Sequence, residues 1–345
     1  MSARRPWLAW LAPVYGAVVA TKRRMYGWGW LRQKRLPAPV ISVGSVSAGG
    51  AGKTPFVAML AGILRRRGYA VSILTRGYGR SSELIERVEP YDDPGWHGDE
   101  PVLLAQRSGA PVFAGADRYR AGLLAEQDRA DEKIAVHLLD DGFQHMKLAR
   151  NVDIVLLTKE DVGDSLLPGG NLRESIEAMA EADVVVVRED EAEALKDVMQ
   201  GLREESDGLT MWVIRRTLNL GELGEPLPTL PLAFCGIARP ESFTKMLKGS
   251  RYEPLETKTF PDHHPYDERD IVQLLERARH LGANGFVTTE KDAVKLTPAL
   301  RGRLEAVGPV IIARLNVELM EEKEAMTQLV AMVGQLDRRK QRGRA

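Results

Sequence analysis

The stretch from Val40 to Thr54, VISVGSVSAGGAGKT, decides the fold. Its β-branched start (Val40, Ile41, Val43) runs into serine and glycine, and it closes on Gly52-Lys53-Thr54 before Pro55 and Phe56 open an apolar, helix-like stretch. Strand, glycine-rich turn, helix start is the order a phosphate-binding loop requires. In such a loop the backbone N–H groups of Ser47, Ala48, Gly49, Gly50, Ala51 and Gly52 converge on phosphate oxygens, Lys53 supplies a point charge, and the Thr54 hydroxyl can sit on Mg²⁺. The usual pattern begins with glycine where this chain has Ser47, and the doubled Gly49-Gly50 restores the backbone freedom the turn needs. The stretch predicts a bound nucleoside triphosphate.

Working outward, short apolar runs without polar alternation recur at Val40–Val43, Ala70–Leu74, Pro111–Ala114, Ile134–Leu139, Asp153–Leu157 and Asp183–Val187, as buried parallel strands should. Helical spacing fills Pro55–Arg67, Pro101–Arg107 and Arg118–Glu126 between them. The reading is an α/β, P-loop NTPase-type doubly wound parallel sheet. Ile134–Leu139 ends in Asp140-Asp141-Gly142, and a carboxylate at the end of a strand neighbouring the loop faces Mg²⁺ in proteins of this kind. Beyond Glu189 the sequence turns acidic, Leu209–Leu220 reads as an extended connector, and Gly221–Pro231 is rich in glycine and proline. A second, smaller α/β domain is expected from residue 231 to 336. It comprises strands at Leu232–Ile237, Phe286–Thr289 and Val310–Ala313, helices at Glu241–Lys248 and Asp267–His280, and a last helix at Val317–Leu336.

The 345-residue chain carries 48 basic and 48 acidic side chains, so net charge offers no reason to invoke nucleic acid, and no obligate protein partner is evident. Its one cysteine, Cys235, cannot form an internal disulfide and fits a reducing compartment. Charge is uneven, with basic clusters in residues 1–35 (Arg4, Arg5, Lys22, Arg23 and Arg24 among them) and in the tail, 337–345. Between the first clusters lies Pro6–Ala20, PWLAWLAPVYGAVVA, shorter than the roughly twenty apolar residues a spanning helix needs and interrupted by Pro13. Signal-peptide and core-packing readings are the alternatives, but cleavage would export an ATP-site protein to where there is no ATP. Aromatic and basic side chains together favour a helix lying in a membrane interface.

Other residues could carry chemistry. Asp99, in GDEP, is either a helix N-cap or a general base for an attacking hydroxyl, and both can hold. His263-His264, in FPDHHPY, could begin a metal site, but no further histidine or cysteine cluster completes one; an imidazole orienting a carboxylate base fits better. Arg76 and Arg80 flank a glycine-hinged loop after the second strand, suited to a phosphate held bidentately. The loop LLPGGNLRE ends in Arg173 and Glu174. Thr158-Lys159-Glu160-Asp161 follows a strand and matches a guanine-reading loop, which keeps a membrane-associated P-loop GTPase switch as the alternative. The Asp-x-x-Gly that a GTPase also needs is missing from Asp140-Asp141-Gly142-Phe143.

Taken in order, GSVSAGGAGKTP, TRGYGR, GDEP, DDGFQH, LLPGGNLRE, CGIARP, FPDHH and TTEKDAVKL resemble the tetraacyldisaccharide 4'-kinase family. The resemblance implies transfer of the ATP γ-phosphoryl group to the 4'-hydroxyl of an acylated disaccharide 1-phosphate, with Mg²⁺, at the cytoplasmic face of the bacterial inner membrane. It implies that Lys53 and Thr54 serve ATP and Mg²⁺, that Asp99 is the base paired with His263, and that Asp140 and Asp141, with Glu174 contributing, serve the metal. Arg76, Tyr78, Arg118, Asn171 and Arg173 are the implied contacts to the disaccharide and its phosphate.

Overall fold

The computed structural model describes residues 6–128, 134–206, 208–221, 227–250 and 252–342, with side chains from 7 to 334. Arg4, Arg5, the side chains of the basic tail and residues 222–226 of the glycine- and proline-rich stretch lie outside the described residues.

β1 (Val40–Ser45) is buried at every position and lies between two parallel neighbours, β5 (Ala135–Asp140) and β6 (Val152–Leu156). Beyond β5 come β2 (Ala70–Thr75), β4 (Val112–Ala114) and an antiparallel edge strand, β3 (Glu86–Val88). Beyond β6 come β7 (Val184–Arg188) and β8 (Thr210–Leu220). The chain leaves β1 for the helix Lys53–Arg66 and returns at β2 on one side, while β6 lies on the other side. Loops at the carboxyl ends of β1, β5 and β2 therefore open toward a common crevice, where open α/β sheets bind ligands.

The Leu209–Leu220 stretch is extended because it is a strand of this same sheet. β8 pairs in parallel with β7 and antiparallel with β12 (Val310–Leu319), with Ala313 opposite Leu220 and Leu319 opposite Ile214. Past β12 follow β11 (Gly285–Thr289), β9 (Pro231–Cys235) and the edge strand β10 (Glu256–Thr259), all parallel to one another, so twelve strands form one continuous sheet. The residues after 231 have their own apolar clusters, one with Leu232, Phe234, Ile271, Leu274 and Phe286 at its centre. Short polar edge strands such as β3 and β10 carry too little apolar pattern to be legible, and charge on an edge discourages pairing with another chain.

The last helix starts later than its periodicity predicts. Leu315, Val317 and Leu319 alternate with polar residues and extend β12 along β8, so the helix runs Glu322–Arg342. Ala325, Met326 and Leu329 pack with Phe56, Leu60 and Leu64 of the Lys53–Arg66 helix in the largest apolar core cluster.

Gly44 fixes how close the strand end comes to the residues after β5. A Cβ there would meet Phe143 Cβ at 2.5 Å and its backbone nitrogen at 2.8 Å. Gly44→Ala is therefore expected to destabilise the protein by about 1–3 kcal/mol, the cost of overpacking a core. Thermal unfolding should show a midpoint several degrees lower.

Candidate active site

The helix Lys53–Arg66 begins from Gly52, whose φ of 87° only glycine adopts without strain. The loop before it leads the chain over the end of β1, and Lys53 folds back so that Nζ donates to Ser45 Oγ at 2.9 Å and lies 3.2 Å from Asp141 Oδ1. Ala48 through Pro55 line a cleft of about 1300 Å³, together with Thr75, Arg76, Tyr78, Glu100, Arg118, Asp140, Asp141, Arg173, Arg239, His263 and Lys291. Residues from both parts of the sheet thus face one space.

Asp140 and Asp141, adjacent at the end of β5, are held in opposite electrostatic states. Asp140 is buried; its Oδ2 accepts from Thr75 Oγ1 at 3.0 Å, while Oδ1 has no hydrogen-bond partner. Burial, with the nearby charges of Glu100 and Asp141, holds its carboxyl well above the ordinary carboxylate range. Burial also pushes Asp141 upward, but Lys53 and an Arg173 ion pair of 2.6 Å outweigh it and bring its pKa below the ordinary value. Asp140, with an orphaned and buried carboxylate oxygen, lines the cleft together with Asp141 and Thr54, a hard-oxygen set. This fits Mg²⁺, which takes one or two carboxylates and completes its shell with water and phosphate oxygens.

Across the cleft, Asp99 opens the helix Asp99–Ser108, with Gly98 as the N-cap residue, so Asp99 does not cap it. Its carboxylate is buried, accepts from the Glu100 N–H at 2.9 Å, and takes the His263 Nδ1 contact at 3.0 Å to each oxygen. His263 arrives from a sharp turn: its φ is 60°, and its own N–H donates to Asp262 Oδ1 at 3.0 Å. Burial raises the Asp99 pKa, yet the His263 hydrogen bond and the charge of Lys291 bring it below its ordinary value. For His263 burial acts downward and the Asp99 bond upward, and the upward pull prevails. Tyr78 lies against the imidazole, with ring centroids 5.1 Å apart.

Several expected site residues have other partners than expected. Glu174, expected near the metal, is a buried partner of Arg23, which also bonds Glu181 at 2.7 Å and lies over the Phe143 ring at 4.5 Å. Its negative charge is already matched there, and it does not line the cleft. Arg173, expected on the acceptor, clasps Asp141 and the Ala48 carbonyl (3.1 Å). Asn171 donates to Asp164 and lines a neighbouring cavity. The Ser47 side chain is buried with its hydroxyl unpartnered and Ser47 does not line the cleft, while the Ala48 N–H, expected on a phosphate, donates to the Asn171 carbonyl at 2.9 Å. His264, once a metal candidate, bonds Asp270 at 2.8 Å, and the described residues contain no group of three or more metal-ligating side chains. Arg76 and Arg118 do reach the cleft. The Arg118 Nε is buried without a partner, and burial and the neighbouring Arg76 charge lower its pKa to about 10, so this wall favours an anion.

The guanine-reading possibility fails on geometry. Asp161 Oδ2 accepts from the Thr158 N–H at 3.0 Å and Oδ1 from Arg239 at 3.1 Å, so both oxygens are engaged and the carboxylate is buried. Sequence reasoning missed Arg239, which reaches across to this loop, and Lys291, although both lie in motifs visible in the chain.

The family model for tetraacyldisaccharide-1-P 4'-kinase matches residues 4–334. The chain belongs to the tetraacyldisaccharide 4'-kinase family. Tetraacyldisaccharide 4'-kinases of Koribacter versatilis and Geobacter metallireducens are 38% and 37% identical to it; the first alignment covers 94% of this chain and 98% of the relative, the second 93% and 96%. A crystal structure of Aquifex aeolicus LpxK in complex with ATP superposes with a TM-score of 0.72 at 32% identity, covering 94% of this chain and 98% of that one. The activity of a tetraacyldisaccharide 4'-kinase is phosphoryl transfer from ATP, which excludes the GTPase alternative as the function of this chain.

If Asp140 supplies the unsatisfied oxygen to a metal, Asp140→Asn should weaken ATP binding in the presence of Mg²⁺ by about tenfold or more, some 1.4 kcal/mol per decade. Calorimetric titration with and without Mg²⁺ checks this: the metal-free affinity should change little.

Proposed function

We propose that the cleft passes the γ-phosphoryl group of ATP to the 4'-hydroxyl of an acylated disaccharide 1-phosphate while the protein lies on the cytoplasmic face of a bacterial inner membrane. The observation that carries this reading is the common cleft: the phosphate loop with Asp140 and Asp141 forms one wall, and His263, bonded to Asp99, forms part of another. Thr54, Asp140 and Asp141 would hold Mg²⁺, which supplies charge neutralisation for the transferring group.

The remaining roles fall to the chain's own residues. Lys53, held at the end of β1 by Ser45 and Asp141, presents its ammonium to the triphosphate. Asp99 takes the proton from the attacking hydroxyl as the new P–O bond forms; its lowered pKa keeps it ionised at neutral pH, though it makes it the weaker base. His263 orients that carboxylate through its Nδ1 contact. Arg76, Arg118 and Tyr78 receive the acceptor, with arginine forks suited to its phosphate. Two cations of the first segment, Lys22 and Lys34, also line the cleft and connect it to the surface where a lipid would arrive.

Membrane docking rests on the first segment. A 3₁₀ turn at Pro6–Leu11 leads into the helix Ala12–Gly27, and Trp7, Trp10, Trp28 and Trp30 are each more than 60% exposed, as are Val14 and Val18 to a similar degree. No described helix is long and apolar enough to cross a membrane. Exposed tryptophans beside basic side chains are the composition of an interfacial anchor.

Radiolabelled ATP and GTP, offered with purified disaccharide lipid, test the reaction: label should enter lipid from ATP, and none entering would sink the reading. Asp99→Ala should reduce turnover by about 10²- to 10⁴-fold with nucleotide binding retained. Replacing Trp7 and Trp10 by serine should shift the protein from the membrane to the soluble fraction on centrifugation.

A further inference from the structure

Thr158-Lys159-Glu160-Asp161 does not read guanine, because its acceptors are taken by Arg239 of CGIARP, residues 235–240. Arg239 Nη1 donates to Thr158 Oγ1 at 3.0 Å and to Glu160 Oε2 at 3.1 Å, and Nη2 donates to Asp161 Oδ1 at 3.1 Å. Thr158 and Asp161 are buried, and the turn that carries them is itself held. Asp161 Oδ2 accepts from the Thr158 N–H at 3.0 Å, and the Lys159 N–H donates to Glu191 Oε2 at 3.0 Å. A guanidinium fork spread over three fixed acceptors has one direction and one place.

The base of the arginine is fixed as well. Gly236 leaves β9 with its N–H on Asp292 Oδ1 at 3.0 Å, and a Cβ there would meet the Pro261 carbonyl oxygen at 2.9 Å, so backbone runs close against backbone. Arg239 is then the N-cap residue of the helix Pro240–Gly249, which buries Phe243 and Leu247. Between these two anchorages the arginine stem crosses the phosphate loop. A Cβ on Gly50 would meet Arg239 Nε at 2.6 Å, Cδ at 2.7 Å and Cγ at 2.8 Å, and one on Gly49 would meet Ala238 Cβ at 3.5 Å.

The loop needs such a cover. Gly49, Gly50 and Gly52 have no side chains to pack, the last two have φ of 75° and 87°, and glycine loses more backbone freedom on ordering than any other residue. Ala48 is fastened from one side, its N–H on the Asn171 carbonyl at 2.9 Å and its carbonyl on Arg173 at 3.1 Å. Gly49 and Gly50 are covered from the other, by Ala238 and Arg239. We propose that Arg239 is a positioning residue for the nucleotide: pinned to Thr158, Glu160 and Asp161, its stem holds the Gly49-Gly50 turn in the shape that receives the phosphates, so that part of the loop's ordering precedes ATP. With Glu160 and Asp161 on its guanidinium, Arg239 has little charge left for a phosphate, which sets it apart from Lys53. The part of the chain that brings His263 to the cleft thus also shapes the donor side.

This inference deepens the kinase reading and rests on ATP binding at the phosphate loop, which calorimetry measures with no lipid acceptor present. Arg239→Met keeps most of the stem and removes the guanidinium. MgATP should then bind about tenfold more weakly and KM for ATP should rise in step, while kcat and KM for the disaccharide lipid stay within about twofold. Arg239→Lys, which can meet fewer acceptors at once, should recover part of the affinity. Asp161→Asn loosens the same contact from the opposite side and serves also should Arg239→Met fail to fold. It should weaken ATP binding in the same direction, and the double variant should lose less than the product of the two single losses. Unchanged ATP affinity in Arg239→Met and Asp161→Asn overturns the proposal. So does a loss confined to kcat and thermal stability, the pattern of a smaller folded fraction. No binding of ATP by the unsubstituted protein would overturn the kinase reading, and this proposal with it.

Discussion

Glu100, Asp140 and Asp141 line one cleft and Asp99 lies buried behind His263 at its side, and buried like charges cannot all remain ionised without compensation. Each is answered differently. Asp141 has Lys53 and Arg173, while Asp99 has His263, with Lys291 beyond it and also reaching Glu100. Asp140 accepts only from the Thr75 hydroxyl, and burial with the charges of Glu100 and Asp141 raises its pKa despite the nearby Lys53. The unsatisfied member is the one beside the phosphate loop, where a metal ion carried in with the nucleotide would restore the balance.

The topology makes this sharing possible. Parallel strands bring the phosphate loop, Asp140-Asp141 and the Arg76 loop to the same edge of the sheet, and the shared strand β8 carries the chain on to the part that supplies His263 and Lys291. Contacts from that part are made by side chains that bond more than one group. Arg239 reaches Thr158, Glu160 and Asp161, and Lys291 reaches Glu100, Asp262 and His263. Multiple bonds at one charged centre fix its position with little dependence on any single partner.

The sequence made the phosphate loop, the parallel strands and the Asp140-Asp141 pair readable because each depends on local order: β-branched runs, glycine spacing, and acids at a strand end. The Asp99–His263 pairing was reachable only through motif resemblance, since 164 positions separate the two and no local rule joins them. Arg173 and Glu174 were legible as functional types but not as partners. Their charges are matched by Asp141 and Arg23, and which of two charges meets a third is settled by packing. Lys291 was invisible for the same reason: a lysine in a helical turn reads as solvated until its neighbours are known. The start of the last helix was misplaced because Leu315, Val317 and Leu319 fit both a strand face and a helix stripe, and pairing with β8 decides between them.

The Arg23 contacts bear on any attempt to make a shorter, more soluble protein by trimming the aromatic first segment. Arg23 is the cation that neutralises Glu174 in the interior and also meets Glu181, while its guanidinium covers Phe143, two residues past Asp141. Trimming through residue 27 would leave a buried carboxylate unmatched, and removing one partner of such a pair costs about 3–5 kcal/mol. The segment proposed to dock on lipid is therefore also part of the protein's interior, and solubility is better sought by substituting the exposed tryptophans than by shortening the chain.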